Sequence, residues 1–219
     1  MIPPICSICE NARMTGNSIT CIAYQRCLPD RKKCDCFNIK PEKDFTVIID
    51  NREQRPWFFD KINNDNFPNL KFVNGTLKTG DYSLLGFSDP KKHKNTITVE
   101  RKSLEDLYGT VGSGRERFEK ELIRMQEFTK KVIIIEADLA TIIKNPPDYS
   151  QIPPKAVFRS LIAFSMRYNV QVWPCTNRSM AEKAAFIILD RFYKDYVGTF
   201  TEKTKIFKPG RFFFDKEVI

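Results

Sequence analysis

The sequence predicts an α/β protein in which helices flank a mixed central sheet, preceded by a small metal-binding module. Three observations indicate this. Short β-branched segments alternate with amphipathic helical segments from residue 44 to residue 200. The uninterrupted apolar run at residues 132–135 is typical of a strand buried on both faces. Six of the seven cysteines lie before residue 40.

The elements of the main domain follow from apolar periodicity and turn residues. Strands are predicted over residues 45–49, 70–77, 82–85, 96–102, 132–135 and 170–173. Helices are predicted over residues 57–62, 115–128, 156–168 and 179–196. In the last helix, the residues predicted to face the core are Ala184, Ile187, Ile188, Phe192 and Tyr196.

Three segments make up the predicted domain organisation. Residues 1–43 form the cysteine-rich module, residues 44–200 the α/β domain, and residues 201–219 a basic C-terminal tail. With 219 residues, 42% of them hydrophobic, the chain can bury one substantial core. The N-terminal segment is too short to bury a core of its own, so a bound metal is the natural way to stabilise it.

The excess of basic residues indicates which class of molecule the protein binds. A formal net charge of +9 favours polyanions, either nucleic acid or an anionic membrane surface. The longest apolar run is far shorter than the ~20 residues of a membrane-spanning helix, and the first residues do not resemble a signal peptide. We expect an intracellular protein, in the cytoplasm of the host cell for a bacterial or phage source and in the nucleus for a eukaryotic one.

The N-terminal cysteines predict a structural zinc site, because tetrahedral thiolate coordination of Zn²⁺ uses cysteines clustered in pairs. The paired cysteines are Cys6 and Cys9, then Cys34 and Cys36, with Cys21 and Cys27 as competing ligands. An iron–sulfur cluster and free buried thiols are the alternative interpretations.

Chemistry-bearing residues are densest in the middle of the domain. The period of a strand places Glu100 and Lys102 on one face and Arg101 on the other. Asp81 follows Gly80 at the start of a neighbouring strand, where its carboxylate can meet Glu100 across the sheet. The two carboxylates then form a candidate site for a divalent cation.

Four ordered motifs resemble those of the XPF-type structure-specific endonucleases, a branch of the PD-(D/E)xK nuclease superfamily. The motifs are Asp50-Asn51-Arg52-Glu53, Gly80-Asp81, Glu100-Arg101-Lys102 with Asp106, and Gly114-Arg115. The resemblance implies a restriction-endonuclease-like core. It also implies hydrolysis of DNA phosphodiester bonds at branched or distorted sites, in recombination, repair or replication.

Roles for individual residues also follow from the resemblance. It implies that Asp81 and Glu100 ligate Mg²⁺ or Mn²⁺, with a further contact from Glu53 or Asp50. Lys102 would orient the attacking water and stabilise the developing charge. The resemblance also implies that Arg52, Arg101 and Arg115 bind the phosphates. Asp106 would support the site from the helix that follows the strand.

Several further residues admit two interpretations. Arg117 and Lys120 are either DNA contacts or the solvated side of an amphipathic helix. His93 is predicted to lie in a solvated loop, whereas Trp57 and Trp173 are predicted to lie in the core. A possible homodimer would use the helices of the main domain, through Phe158, Leu161, Phe164, Phe186, Leu189 and Tyr193.

Two other classes of function are compatible with the composition. The first is a non-catalytic DNA-binding subunit that lends its fold to a partner, and the second is a zinc-mediated interaction protein. The intact acidic and lysine positions argue against the first. The dense group of charged residues between Asp50 and Asp106 would have no purpose in the second.

Overall fold

The computed structural model describes residues 45–59 and 70–201, with side chains to residue 196, and the backbone of three short N-terminal strands. These strands are β1 (Ala12–Thr15), β2 (Ser18–Cys21) and β3 (Arg26–Cys27), which pair antiparallel in that order. Most of the predicted zinc ligands, Cys6, Cys9, Cys34 and Cys36, lie outside the described residues, and the side chains of Cys21 and Cys27 are not described. The zinc module therefore stays a prediction.

A six-stranded mixed sheet forms the centre of the main domain, as predicted. Its strands are β4 (Thr46–Asp50), β5 (Lys71–Gly75), β6 (Tyr82–Leu84), β7 (Ile97–Lys102), β8 (Lys130–Ile135) and β9 (Gln171–Pro174). Their order across the sheet is β5-β4-β6-β7-β8-β9. Strand β6 is antiparallel to both of its neighbours, whereas the other pairs are parallel. The start of β6 therefore lies at the same edge of the sheet as the carboxyl ends of β4 and β7.

Helices cover both faces of this sheet. They are α1 (Leu104–Val111), α2 (Arg115–Met125), α3 (Leu139–Lys144), α4 (Pro154–Tyr168) and α5 (Arg178–Thr201). Alternation along β8 serves two cores: Val132 and Ile134 pack with α5, while Ile133 and Ile135 pack with the other four helices. In the part of the chain that the structure describes, none of the helices has both the length and the apolarity needed to span a bilayer.

Apolar periodicity did not predict two short helices. Helix α1 has eight residues and is capped at its N-terminus by Ser103, whose side chain accepts a hydrogen bond from the Asp106 amide. Helix α3 has six residues and begins at Asp138, which caps it in the same way. The predicted helix over 57–62 is wrong for residues 57–59, which have no helical structure, and residues 60–62 lie outside the described part.

Helix α5 is rotated slightly from the predicted orientation. Tyr196 is buried, and Ile188 and Phe192 pack against the core, as predicted, but Ile187 is 55% exposed. The other buried side chains described for this helix are Ala181, Ala185, Phe186 and Leu189. Trp57 is buried as predicted, but the prediction for Trp173 is wrong, because this side chain is 48% exposed on the edge strand β9.

Most of the residues predicted to form a homodimer surface do not lie on the surface of the domain. The core contains four of the six predicted residues, namely Leu161, Phe164, Phe186 and Leu189. The exposed apolar side chains of α4 and α5 include Ile162, Met166 and Ile187. Helical positions adjacent in sequence face in different directions, so a list of apolar residues cannot separate the buried from the exposed ones.

His93 is buried, contrary to the prediction of a solvated loop. It is 3% exposed, and its Nε2 lies 2.8 Å from the Tyr196 hydroxyl. Its ring packs edge-on against Phe87 and Tyr196. The aromatic side chains of α5, distant in sequence, create this environment, so the polar neighbours of His93 misled the prediction.

Candidate active site

Asp81 and Glu100 meet across strands β6 and β7. Tyr82 pairs with Val99, which places the preceding Asp81 opposite Glu100. The Asp81 amide donates to the Val99 carbonyl at 2.8 Å, and Asp81 Oδ2 accepts from the Arg101 amide at 2.8 Å. Glu100 is buried and Asp81 is partly exposed. Antiparallel pairing thus holds the two carboxylates side by side, as the motif spacing predicts.

This juxtaposition disfavours ionisation of both acids. Burial raises the pKa of Asp81 well above its ordinary value, and the negative charge of Glu100 raises it further. Burial also raises the pKa of Glu100, and the nearby Lys102 ammonium offsets only part of that effect. Additional positive charge at this position would therefore stabilise the ionised pair.

Lys102 lies beside Glu100, because strand period places both on one face. Its Nζ is 2.6 Å from Glu100 Oε1 and 4.5 Å from the centre of the Phe118 ring. Burial lowers the pKa of Lys102, but the charge and hydrogen bond of Glu100, together with the charges of Asp81 and Glu121, raise the pKa above its ordinary value. The side chain is therefore an ammonium, suited to donating hydrogen bonds and stabilising negative charge.

Asp50 anchors the loop that follows β4. Its Oδ1 accepts from the Arg52 amide and Nε, and its Oδ2 accepts from Arg52 Nη2 and the Leu77 amide. Burial raises the pKa of Asp50, but these hydrogen bonds lower it to below its ordinary value. The Arg52 side chain remains 66% exposed at the edge of the site. In this structure Asp50 thus orients Arg52, while Arg52 faces solvent.

Glu53 and Arg101 pair with each other in the same region. Arg101 Nη1 lies 3.3 Å from Glu53 Oε1, and both side chains are less than a tenth exposed. A second acid, Glu136 at the end of β8, accepts two hydrogen bonds from Arg101, from Nε at 2.8 Å and Nη2 at 2.9 Å. The guanidinium of Arg101, predicted to bind phosphate, is thus satisfied by carboxylates of the protein.

The helical residues of the prediction occupy two different environments. Arg115 donates to Glu119 and to Ser160 on α4, and its guanidinium lies over the Phe164 ring. Arg117, two residues further along α2, is exposed and lines the adjoining part of the cleft. Asp106 is exposed in the first turn of α1 and lines the cleft as well, whereas Lys120 is exposed outside the lining.

These residues surround an open cleft of about 530 Å³ at the edge of the sheet. It is lined mainly by polar side chains, from the loop after β4, the start of β6, the end of β7 and the start of α1. The lining residues are Arg52, Glu53, Gln54, Arg55, Asp81, Glu100, Arg101, Lys102, Ser103, Glu105 and Asp106. Of the predicted catalytic residues, the structure places all but Asp50 in this lining, and Asp50 lines the adjoining part of the cleft.

A family model for the ERCC4 domain matches residues 49–187, more than half of the chain. The chain belongs to the ERCC4 domain family. Solved structures similar to this ERCC4 domain include XPF from Aeropyrum pernix, with a TM-score of 0.50 and 18% identity over 76% of this chain and 68% of that chain. Another is XPF from Aeropyrum pernix in complex with DNA, with a TM-score of 0.48 and 16% identity over 74% and 68%. No curated protein sequence matches.

The predicted XPF-type nuclease domain is thus confirmed in family and in fold. At 18% identity the structural likeness concerns the fold, and the family assignment comes from the ERCC4 match. The roles of individual residues within the ERCC4 domain stay predictions.

The carboxylates in the cleft of the ERCC4 domain are of a kind that can bind a divalent cation. Within residues 45–59 and 70–196, no group of three or more His, Cys, Asp or Glu side chains is arranged to hold a metal. However, Mg²⁺ commonly binds one or two protein carboxylates and keeps several waters. Asp81 and Glu100 supply two such carboxylates in the cleft. The Lys102 ammonium offsets only part of the cost of ionising both, so a cation would be stabilising there.

Glu136 is one of the residues around the site that the sequence analysis missed. Its Oε1 accepts from Trp57 Nε1, Arg101 Nε and Arg178 Nη1, each at 2.8 Å. Arg178 also donates to the carbonyls of Arg55 and Pro56. Glu136 thus connects β7, β8, α5 and the loop after β4. A signal was present, since an acid directly follows the buried apolar run of β8, where neighbouring strands also end in charged residues.

We predict that Glu136→Ala lowers the free energy of unfolding by about 3–5 kcal/mol, because it leaves the buried Arg101 charge without its main partner. Urea denaturation measures this. The matched control is Glu127→Ala, which removes an exposed acid and should change stability by less than about 0.5 kcal/mol. Equal effects of the two substitutions would show that the Glu136 network adds no net stability.

Proposed function

We propose that this ERCC4 domain is a Mg²⁺- or Mn²⁺-dependent endonuclease that hydrolyses phosphodiester bonds of DNA. The observation that carries the proposal is the Asp81–Glu100 pair beside Lys102, at the open edge of the sheet. Phosphodiester hydrolysis requires charge neutralisation at the phosphate and an activated water. Two carboxylates and an ammonium in one cleft match both requirements.

Each residue of the site has a distinct part in this mechanism. Asp81 and Glu100 would hold the cation, which when bound supplies Lewis acidity and compensates the phosphate charge. The Lys102 ammonium can donate to the attacking water or to a phosphate oxygen, and Glu100 holds its Nζ in place at 2.6 Å. Glu53 pairs with Arg101, and both line the cleft.

Exposed arginines at the edge of the cleft supply contacts to the DNA backbone. Arg52 and Arg55 lie on the loop after β4, and Arg117 lies on α2. Arginine binds phosphate oxygens with two parallel hydrogen bonds, and such contacts position a duplex without reading its sequence. The net charge of +9 adds general attraction to the polyanion. Arg101 is buried against Glu53 and Glu136, and Arg115 donates to Glu119 and Ser160. Arg117 is exposed, and Arg52 remains 66% exposed although it pairs with Asp50, so these two are the stronger candidates.

Branched or otherwise distorted DNA, in recombination, repair or replication, is the substrate class we propose. Its support is the resemblance of the four motifs to XPF-type enzymes. The second candidate function is a non-catalytic DNA-binding subunit. The preserved Asp81, Glu100 and Lys102 favour catalysis over this alternative.

The test is cleavage of labelled linear, flapped, forked and four-way DNA in Mg²⁺ or Mn²⁺. We expect the wild type to cut branched substrates, and Asp81→Ala and Lys102→Ala to lose more than about 100-fold in rate, because each removes charge stabilisation of the transition state. The controls Asp148→Ala and Lys144→Ala remove exposed charges that do not line the cleft, and they should cut normally.

Two results would overturn the proposal. One is the absence of metal-dependent cutting of any substrate, and the other is cutting that Asp81→Ala leaves unchanged. DNA binding without cutting would support the non-catalytic alternative.

We also propose that the N-terminal cysteines hold one structural Zn²⁺, which the spacing of Cys6-x-x-Cys9 supports. Metal analysis of the purified chain should then find one zinc per chain, and Cys6→Ser with Cys9→Ser should lose it. Zinc-free protein with unchanged folding would contradict this.

Homodimerisation stays a prediction, with Ile162, Met166 and Ile187 as the exposed apolar candidates, and sedimentation equilibrium measures it directly.

A further inference from the structure

A carboxylate on α2 holds the turn that carries Asp81. Glu121 Oε1 accepts from the Thr79 hydroxyl at 2.6 Å and from the Gly80 amide at 3.1 Å. Its Oε2 accepts from Arg124 at 3.3 Å. The Glu121 side chain is only 24% exposed.

The turn itself has little freedom. Gly80 has φ of +75°, and a Cβ at this position would lie 2.1 Å from Thr98 Oγ1. The Asp81 amide donates to the Val99 carbonyl, and the Asp81 carbonyl accepts from the Asp50 amide. The sheet therefore fixes the backbone of Asp81 itself, while Glu121 fixes the two residues before it.

Glu121 is also part of the charge balance of the cleft. Burial raises the pKa of Glu121, but the hydrogen bonds from Thr79 and Gly80 lower it to below its ordinary value. The ionised carboxylate lies close enough to Lys102 and Glu100 to raise the pKa of both. Since Thr79 and Gly80 occupy Oε1, the contacts of Glu121 are those of a support for the turn.

We propose that Glu121 is a positioning residue, which sets the direction of the Asp81 carboxylate for divalent-cation binding by fastening Thr79 and Gly80 to α2. The inference rests on the proposed function, in which Asp81 holds the cation. Arg117 lies one turn earlier on the same face of α2 and lines the same part of the cleft. The helix that steadies the metal-binding turn therefore also carries a candidate phosphate contact.

The experiment compares Glu121→Ala, Glu121→Gln and Thr79→Val with wild type. The matched control is Glu116→Gln, which neutralises an exposed acid of the same helix. Three quantities are measured: Mn²⁺ binding to metal-free protein from the EPR signal of free Mn²⁺, the Mg²⁺ concentration for half-maximal cleavage, and the Kd for DNA. Thermal unfolding of each variant establishes that it is folded under the assay conditions.

We expect Glu121→Ala to weaken Mn²⁺ binding about tenfold and to raise the half-maximal Mg²⁺ concentration by a similar factor, as loss of a residue that orients a metal ligand commonly does. The Kd for DNA should change less than about twofold, since α2 keeps Arg117. Glu121→Gln should stay within about threefold of wild type, because its amide oxygen accepts both hydrogen bonds. Thr79→Val removes one of them with little change of shape and should weaken Mn²⁺ binding by a smaller factor.

Several outcomes decide against the positioning role. Mn²⁺ binding by folded Glu121→Ala that equals that of wild type overturns it. Equal losses in Glu121→Gln and Glu121→Ala also overturn it, because they would show that charge alone matters. If the wild type binds Mn²⁺ with the expected dependence on Glu121 but cuts no DNA, the proposed function fails and the positioning role stands. If the wild type neither binds Mn²⁺ nor cuts, both fail.

Discussion

The pairing of β6 with β7 places Asp81 and Glu100 next to each other in a region partly shielded from water. This arrangement is electrostatically costly, because each negative charge disfavours ionisation of the other and burial disfavours both. Lys102 offsets part of the cost through its contact with Glu100. In the proposed function a bound cation would compensate the remainder, so the unfavourable feature of the fold is also the one that the proposed chemistry uses.

Three further acids connect the elements around this pair through hydrogen bonds. Asp50 holds Arg52 and the Leu77 amide, Glu136 holds Arg101, Arg178 and Trp57, and Glu121 holds Thr79 and Gly80. Each joins elements that are distant in the sequence. Each is also largely satisfied by donors of the protein. These three acids thus support the surroundings of the pair, and two of them, Asp50 and Glu121, also line the adjoining part of the cleft.

Much of the architecture and the core of the site could be predicted from sequence, because short-range patterns determine them. The apolar run before Glu136 predicts a buried strand, and strand period alone places Glu100 beside Lys102. The contacts of Glu121, Glu136 and His93 could not be predicted in this way, because their partners lie on other elements. The same reason accounts for Trp173, whose exposure depends on which strand lies at the edge of the sheet.

The central claim is that the Asp81–Glu100 pair is destabilising unless a cation is bound. Its most direct test is thermal unfolding of wild type and Asp81→Asn at neutral pH, in Mg²⁺-free buffer and in excess Mg²⁺. Without Mg²⁺, Asp81→Asn should be at least as stable as wild type, because the amide removes a repelling charge and can still accept from the Arg101 amide. Excess Mg²⁺ should raise the unfolding midpoint of wild type by roughly 5 °C and leave that of Asp81→Asn unchanged. Equal shifts in both proteins, or a less stable Asp81→Asn without Mg²⁺, would contradict the claim.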